Sequence, residues 1–176
     1  MKIKKIVLKN WKNFVGAEAD IPGRLFLVGP NASGKSNFLD AFRFLRDLAS
    51  TGGGFQEAIR RRGGVSAIRC LAARRDTDVE ISVTLQVEGD DTWEYTLSFN
   101  QDNQRQAHVI TERVRRNGDD VLNRPSDDDN EDPQRLTQTH LEQVNVNKPF
   151  REIAAFFASI RYLHIVPQLV REPDRS

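Results

Sequence analysis

Residues 29–36, Gly-Pro-Asn-Ala-Ser-Gly-Lys-Ser, constrain this chain more than any other segment, because they satisfy the pattern GxxxxGK[ST] in full. Glycines at this spacing let the backbone curl until successive N–H groups point inward, which makes a nest for anionic oxygens. A helix must open directly after the loop. Its first N–H groups have no partner within the helix, and its dipole is positive at that end. Lys35 can then reach the β- and γ-phosphates of a nucleoside triphosphate as a point charge, and the Ser36 hydroxyl can ligate Mg²⁺. The expected cofactors are ATP and Mg²⁺, with Gly29, Asn31, Ala32, Ser33, Gly34, Lys35, Ser36 and Asn37 as the nucleotide-binding residues. Chance would place such a string in a chain of this length on the order of once in a few hundred sequences.

The flanks suit the loop. Leu25-Phe26-Leu27-Val28 is a short apolar run, the pattern of a buried central strand. Beyond the loop, Phe38, Leu39, Phe42, Leu45 and Leu48 recur at helical spacing until Gly52-Gly53-Gly54. Residues 55–62 read as a short helix closed by Gly63. Upstream, residues 2–8 alternate like a half-exposed strand, Trp11-Lys12-Asn13-Phe14 form a turn, and residues 17–21 a second strand. Downstream, residues 79–87 alternate strictly, and residues 93–99 and 107–115 repeat the pattern. They predict an antiparallel meander with one buried face, a β-subdomain over about 76–122. The acidic stretch at about 124–134 reads as a disordered loop. Asn147 is placed to cap a helix over 149–161 with Ile153, Phe156, Phe157 and Ile160 inward, and residues 162–166 suggest a last strand. The expected fold is an α/β P-loop NTPase formed as one unit over 1–176, with a mixed core sheet, flanking helices and the β-meander subdomain.

Charge divides the chain. Residues 1–75 carry 15 Lys and Arg against 5 Asp and Glu, whereas residues 76–176 carry 11 against 20. The half holding the loop therefore attracts polyanions, the triphosphate and nucleic acid among them. No apolar run approaches the length of a membrane span, and the basic start lacks a signal-type apolar region. The single Cys70 suits a reducing compartment and a buried, unreactive position. A cytoplasmic protein is expected.

The first fifty residues also resemble the SMC/RecF-like branch of ABC-type ATPases. Residues 2–14 are similar to its opening strand and short turn, and residues 27–45, LVGPNASGKSNFLDAFRFL, to its Walker A segment, usually written GxNGxGKSNxLDA. Bacterial AAA-family ATPases, phage-defence types included, share the likeness. Ala32 departs from the pattern, where the family usually has glycine. The resemblance implies an ATPase head that works in DNA repair, chromosome maintenance or antiviral defence. In such a head, ATP glues two copies together and hydrolysis releases them. It also implies nucleotide contacts from Lys12 and Asn13 in the first turn and from Arg61 in Arg60-Arg61-Arg62, and a Q-loop role on Mg²⁺ for Gln168.

Two elements of such a head are missing from this sequence. No hhhhDE strand supplies the Walker B carboxylates; residues 85–90 imitate it poorly. No LSGGQ-like signature follows. In the resembled family both lie in the C-terminal half, so the expectation is an N-terminal lobe that needs that half, or a second head subunit, for hydrolysis. The expected partners are therefore a completing polypeptide and DNA, in an oligomer and without a membrane. Other classes fare worse. A GTPase needs NKxD, and Asn147-Lys148-Pro149-Phe150 lacks the Asp. A small-molecule kinase fits poorly with a β-meander after the first helix. A non-enzymatic ATP-dependent interaction module is compatible with the missing carboxylates. His108, His140 and His164 are scattered and show no metal-ligand spacing.

Overall fold

The computed structural model describes residues 1–73, 77–87 and 89–163. Six strands form one sheet: β1 (Lys2–Trp11), β2 (Phe14–Asp20), β3 (Val79–Gln86), β4 (Thr92–Gln101), β5 (Ala107–Arg116) and β6 (Asp119–Arg124). Their order is β2-β1-β3-β4-β5-β6, and every neighbouring pair is antiparallel. Alternation decides the faces. Val79, Ile81, Val83 and Leu85 of β3 point inward with Trp93, Tyr95, Leu97 and Phe99 of β4 and Ile6 and Leu8 of β1, all buried.

Helices cover that inner face and leave the other to polar side chains. Helix α1 (Lys35–Ala49) lays Phe38, Ala41, Phe44, Leu45 and Leu48 on it. Short α2 (Phe55–Arg60) and α3 (Val65–Ile68) follow, and α5 (Arg151–Ala158) packs beside α1 through Ile153, Ala154 and Phe157. Aromatic rings bind the layers: Phe44 meets Trp11 edge-on with centroids 5.3 Å apart and stacks on Phe99 at 5.5 Å, while Tyr95 meets Phe157 at 5.6 Å. Cys70 is buried and free, as its composition suggested.

Several expectations need correction. Residues 25–28 are not a buried strand. They lie outside the sheet with Phe26 83% and Val28 93% exposed, because no strand among the described residues runs beside them. The strands over 79–124 do not stand apart from the first hairpin. Pairing of β1 with β3 joins all six into one antiparallel sheet in place of the mixed core sheet. Strand β6 went unread, although Asn117-Gly118 is a strong hairpin signal. On α1 it is Phe44, rather than Leu39, that turns inward; Leu39 is exposed. Asn147 does not cap through its side chain; it donates to the Leu141 carbonyl and accepts from Arg151.

The acidic stretch is ordered. It forms α4 (Asp127–Glu131) and a 3₁₀ turn, Pro133–Thr137. Ser126 and Asp129 close a capping box, and Asp129 is fully buried because Arg124 meets it with two nitrogens, at 3.0 and 2.8 Å. The same guanidinium reaches Glu112 at 2.9 Å, and Glu112 also accepts from Tyr95 and from the backbone of His140 and Leu141. Of the suggested last strand, Tyr162 and Leu163 have no regular structure, and the rest lies outside the described residues, as does Gln168.

Candidate nucleotide site

Loop 29–36 connects the irregular segment before it to the start of α1, so it sits at the positive end of a 15-residue helix. Gly34 makes the transition with φ +98°, a conformation that side chains resist. A Cβ there would also run into the Asn13 amide and the Phe14 ring, so a larger residue is admitted only if those side chains move. Ala32 has φ +64°, which explains why glycine is usual at this place; an L side chain there costs about 1 kcal/mol. The backbone keeps the nest nonetheless.

No side chain caps the start of α1, and its first turn holds no acidic residue. Its leading N–H groups are therefore open to an outside anion. Lys35 folds back over the loop: Nζ donates to the Gly29 carbonyl at 2.8 Å and the Pro30 carbonyl at 2.6 Å and approaches Ser33 Oγ at 3.4 Å. Two loop carbonyls thus hold the ammonium against the loop. Ser36 is exposed at the loop's exit. A phosphate chain fits this donor set of backbone N–H groups, one ammonium and a hydroxyl, with no fixed anion in the way.

Asn37 stands one residue further along. Its Nδ2 donates to Asn13 Oδ1 at 2.9 Å, and its carbonyl accepts from Trp11 Nε1 at 2.8 Å. The structure thus brings Asn13 to the loop. It puts Lys12 and Arg61 elsewhere: both line a polar cavity of about 390 Å³ with Asp40, Arg43, Arg46, Asp47 and Arg62, beside α1. Burial holds the Lys12 ammonium below its usual pKa.

Within that cavity Arg62 is spoken for. Its side chain is 6% exposed and pairs with Asp40 at 2.9 and 3.0 Å and with Asp47 at 3.0 Å. Arg60 and Arg61 share Glu57, whose carboxyl they pull down to about 2. The seven-residue spacing of Asp40 and Asp47, two turns of one helix face, was the sequence signal for a buried cation between them. Trp11 was read only as part of a turn; an indole closing an alternating strand was the available hint of its burial.

On the other side of α1 runs an apolar groove of about 400 Å³. Ile3, Ile21, Leu25, Leu27, Leu39 and Phe42 are among its lining residues. No group of three or more His, Cys, Asp or Glu among the described residues could hold a metal ion. No helix among them is long and apolar enough to cross a membrane.

Residues 25–172 match the family described as AAA domain, putative AbiEii toxin, Type IV TA system. The chain belongs to this AAA family. Residues 3–46 also match the P-loop containing region of AAA domain, so the loop and the first hairpin fall in a recognised unit. The DNA replication and repair protein RecF of Pelotomaculum thermopropionicum is 38% identical over 92 residues, covering 48% of this chain and 24% of RecF. The chromosome partition protein Smc of Methanocaldococcus jannaschii is 52% identical over 44 residues, 24% of this chain and 4% of Smc. A solved structure of the recombination mediator RecF with ATP covers 68% of this chain and 28% of that one, at 17% identity and a TM-score of 0.42. The resemblance of this AAA domain to RecF- and SMC-type ATPases, read from residues 27–45, is borne out, and so is the α/β class. The chain spans about a quarter of the length of the RecF relatives it matches.

Proposed function

We propose that this chain is the ATP-binding lobe of a RecF/SMC-type ATPase, acting on DNA in repair, chromosome maintenance or antiviral defence. The observation that carries the reading is the loop itself: an uncapped helix start free of acidic residues, with Lys35 folded back over the loop. In this reading the backbone N–H groups of residues 31–36 hold the phosphates, Lys35 neutralises the β- and γ-oxygens, and Ser36 ligates Mg²⁺. Mg²⁺ bound there would be held by the Ser36 hydroxyl and would offset the phosphate charge.

Hydrolysis needs a carboxylate to hold and activate water. The acids nearest the loop on α1, Asp40 and Asp47, are committed to Arg62. The lobe alone therefore binds ATP and turns it over negligibly, and a C-terminal half or a second head supplies the missing carboxylates. The apolar groove beside residues 25–28 supports such a completing polypeptide. The excess of cations in the cavity beside α1, Lys12 and four arginines against Asp40 and Asp47, supports contact with DNA phosphates.

Titration of the chain with ATP and Mg²⁺ tests the assignment. Lys35→Ala leaves the melting temperature nearly unchanged, since Lys35 contacts only its own loop, and weakens ATP binding by about a hundredfold, the loss of charge-assisted bonds from the ammonium to phosphate. A folded Lys35→Ala variant that binds as well as wild type would refute it.

A further inference from the structure

The phosphate loop is steadied from outside by the β1–β2 turn, and one side chain makes the link. Asn37 reaches back from the first turn of α1 to Asn13, and Asn13 lies directly on Gly34, both its amide atoms within 2.8 Å of where a Cβ would stand. The other end of the link does not move: Trp11, which donates to the Asn37 carbonyl, is fully buried against Phe44. The turn is also fixed on its far side, where the Lys12 N–H donates to the Ile68 carbonyl at 2.6 Å. Trp11, Asn37, Asn13 and Gly34 thus close a ring around the point where loop becomes helix. The Asn13 amide occupies the space beside the left-handed Gly34 that a side chain would otherwise fill.

From this ring we infer that Asn37 is a positioning residue for phosphate binding: it acts through Asn13 to hold Gly34 and does not itself touch the nucleotide. The inference rests on the reading that residues 29–36 bind ATP. It departs from the expectation that Asn37 is a direct ligand contact, because one Nδ2 hydrogen of its amide goes to Asn13 and its backbone carbonyl is held by Trp11.

Calorimetric titration of Asn37→Ala, Asn13→Ala and the double variant with Mg-ATP, ADP and inorganic pyrophosphate tests it, with Lys35→Ala alongside. Each single variant weakens all three ligands by the same factor, about five- to tenfold, the worth of one hydrogen bond. The double variant is no weaker than either single one, because both remove the same link. Amide hydrogen exchange, read without nucleotide, speeds up at Gly34 and Lys35 in Asn37→Ala while the β3 and β4 amides keep their protection. Asn13→Asp, which keeps an acceptor for Asn37 Nδ2, restores protection at Gly34.

Losses that add in the double variant, or that appear with ATP and not with pyrophosphate, would show direct contact and overturn the inference. Unchanged affinity and exchange in Asn37→Ala would overturn it too. If wild type binds and Lys35→Ala binds equally well, the loop reading itself falls, a result distinct from any failure of Asn37.

Discussion

Replacing Arg124 by Met removes one guanidinium and keeps the apolar stem, and the structure sets the cost. Arg124, Glu112 and Asp129 have fully buried side chains. Arg124 donates to both carboxylates and to the carbonyls of Gln138 and Arg135, at 2.9 and 3.0 Å. Removing one member of such a network leaves uncompensated buried charge, which costs about 3–5 kcal/mol. Partial compensation puts the expected value near the lower end. Asp129 keeps Ser126, and Glu112 keeps Tyr95 and two backbone N–H groups.

About 3 kcal/mol is a large part of the 5–15 kcal/mol that holds a domain of this size. Burial already holds the Glu112 carboxyl above its ordinary pKa. Without Arg124 it rises further and can take a proton, so the deficit shrinks as pH falls from 8 toward 5. Urea denaturation followed by far-ultraviolet circular dichroism measures both the loss and its pH dependence. A loss under about 1 kcal/mol at pH 8, the range of an ordinary surface change, would refute the account of a buried network.

Two other outcomes follow from the geometry. Glu142 caps the start of α2 by accepting from Phe55 N, and burial raises its carboxyl to about 7. The folded state thus holds a proton that the unfolded chain releases near 4.5, so stability falls as pH rises through the window from about 4.5 to 7, by up to about 3 kcal/mol. Glu142→Gln flattens that slope in thermal melts from pH 4 to 8, and an unchanged slope would clear Glu142 of the effect. The apolar groove predicts association: light scattering over a concentration series detects self-association or binding of a C-terminal half, and Phe42→Asp weakens it. A wild-type monomer that gains nothing from that half would defeat the expectation.

The phosphate loop was legible because its geometry is local. Glycine spacing, a following amphipathic helix and one lysine determine a nest without reference to the rest of the chain. Strand periods were legible for the same reason: alternation over residues 79–87 reports which side chains share a face. Partners across space were not. The pairing of β1 with β3 joins residues 71 to 84 positions apart, from Lys9 with Glu80 to Lys2 with Gln86, and no local pattern ranks that against other registers.

Residues 25–28 look the same in sequence whether or not a strand lies on each side, and only the assembled sheet shows that none among the described residues does. Composition does not show which acids meet Arg62 and Arg124; packing brings Asp40 and Asp47 to the first and Glu112 to the second. The acidic stretch, disordered by its composition, is ordered because the buried Arg124 guanidinium and Arg135 together offset the repulsion of its acids. By itself the sequence marked the loop at residues 29–36 and the helix that follows it. The tertiary structure decided which of its charges remain free to bind, because a charge is spent or available according to what the fold sets beside it.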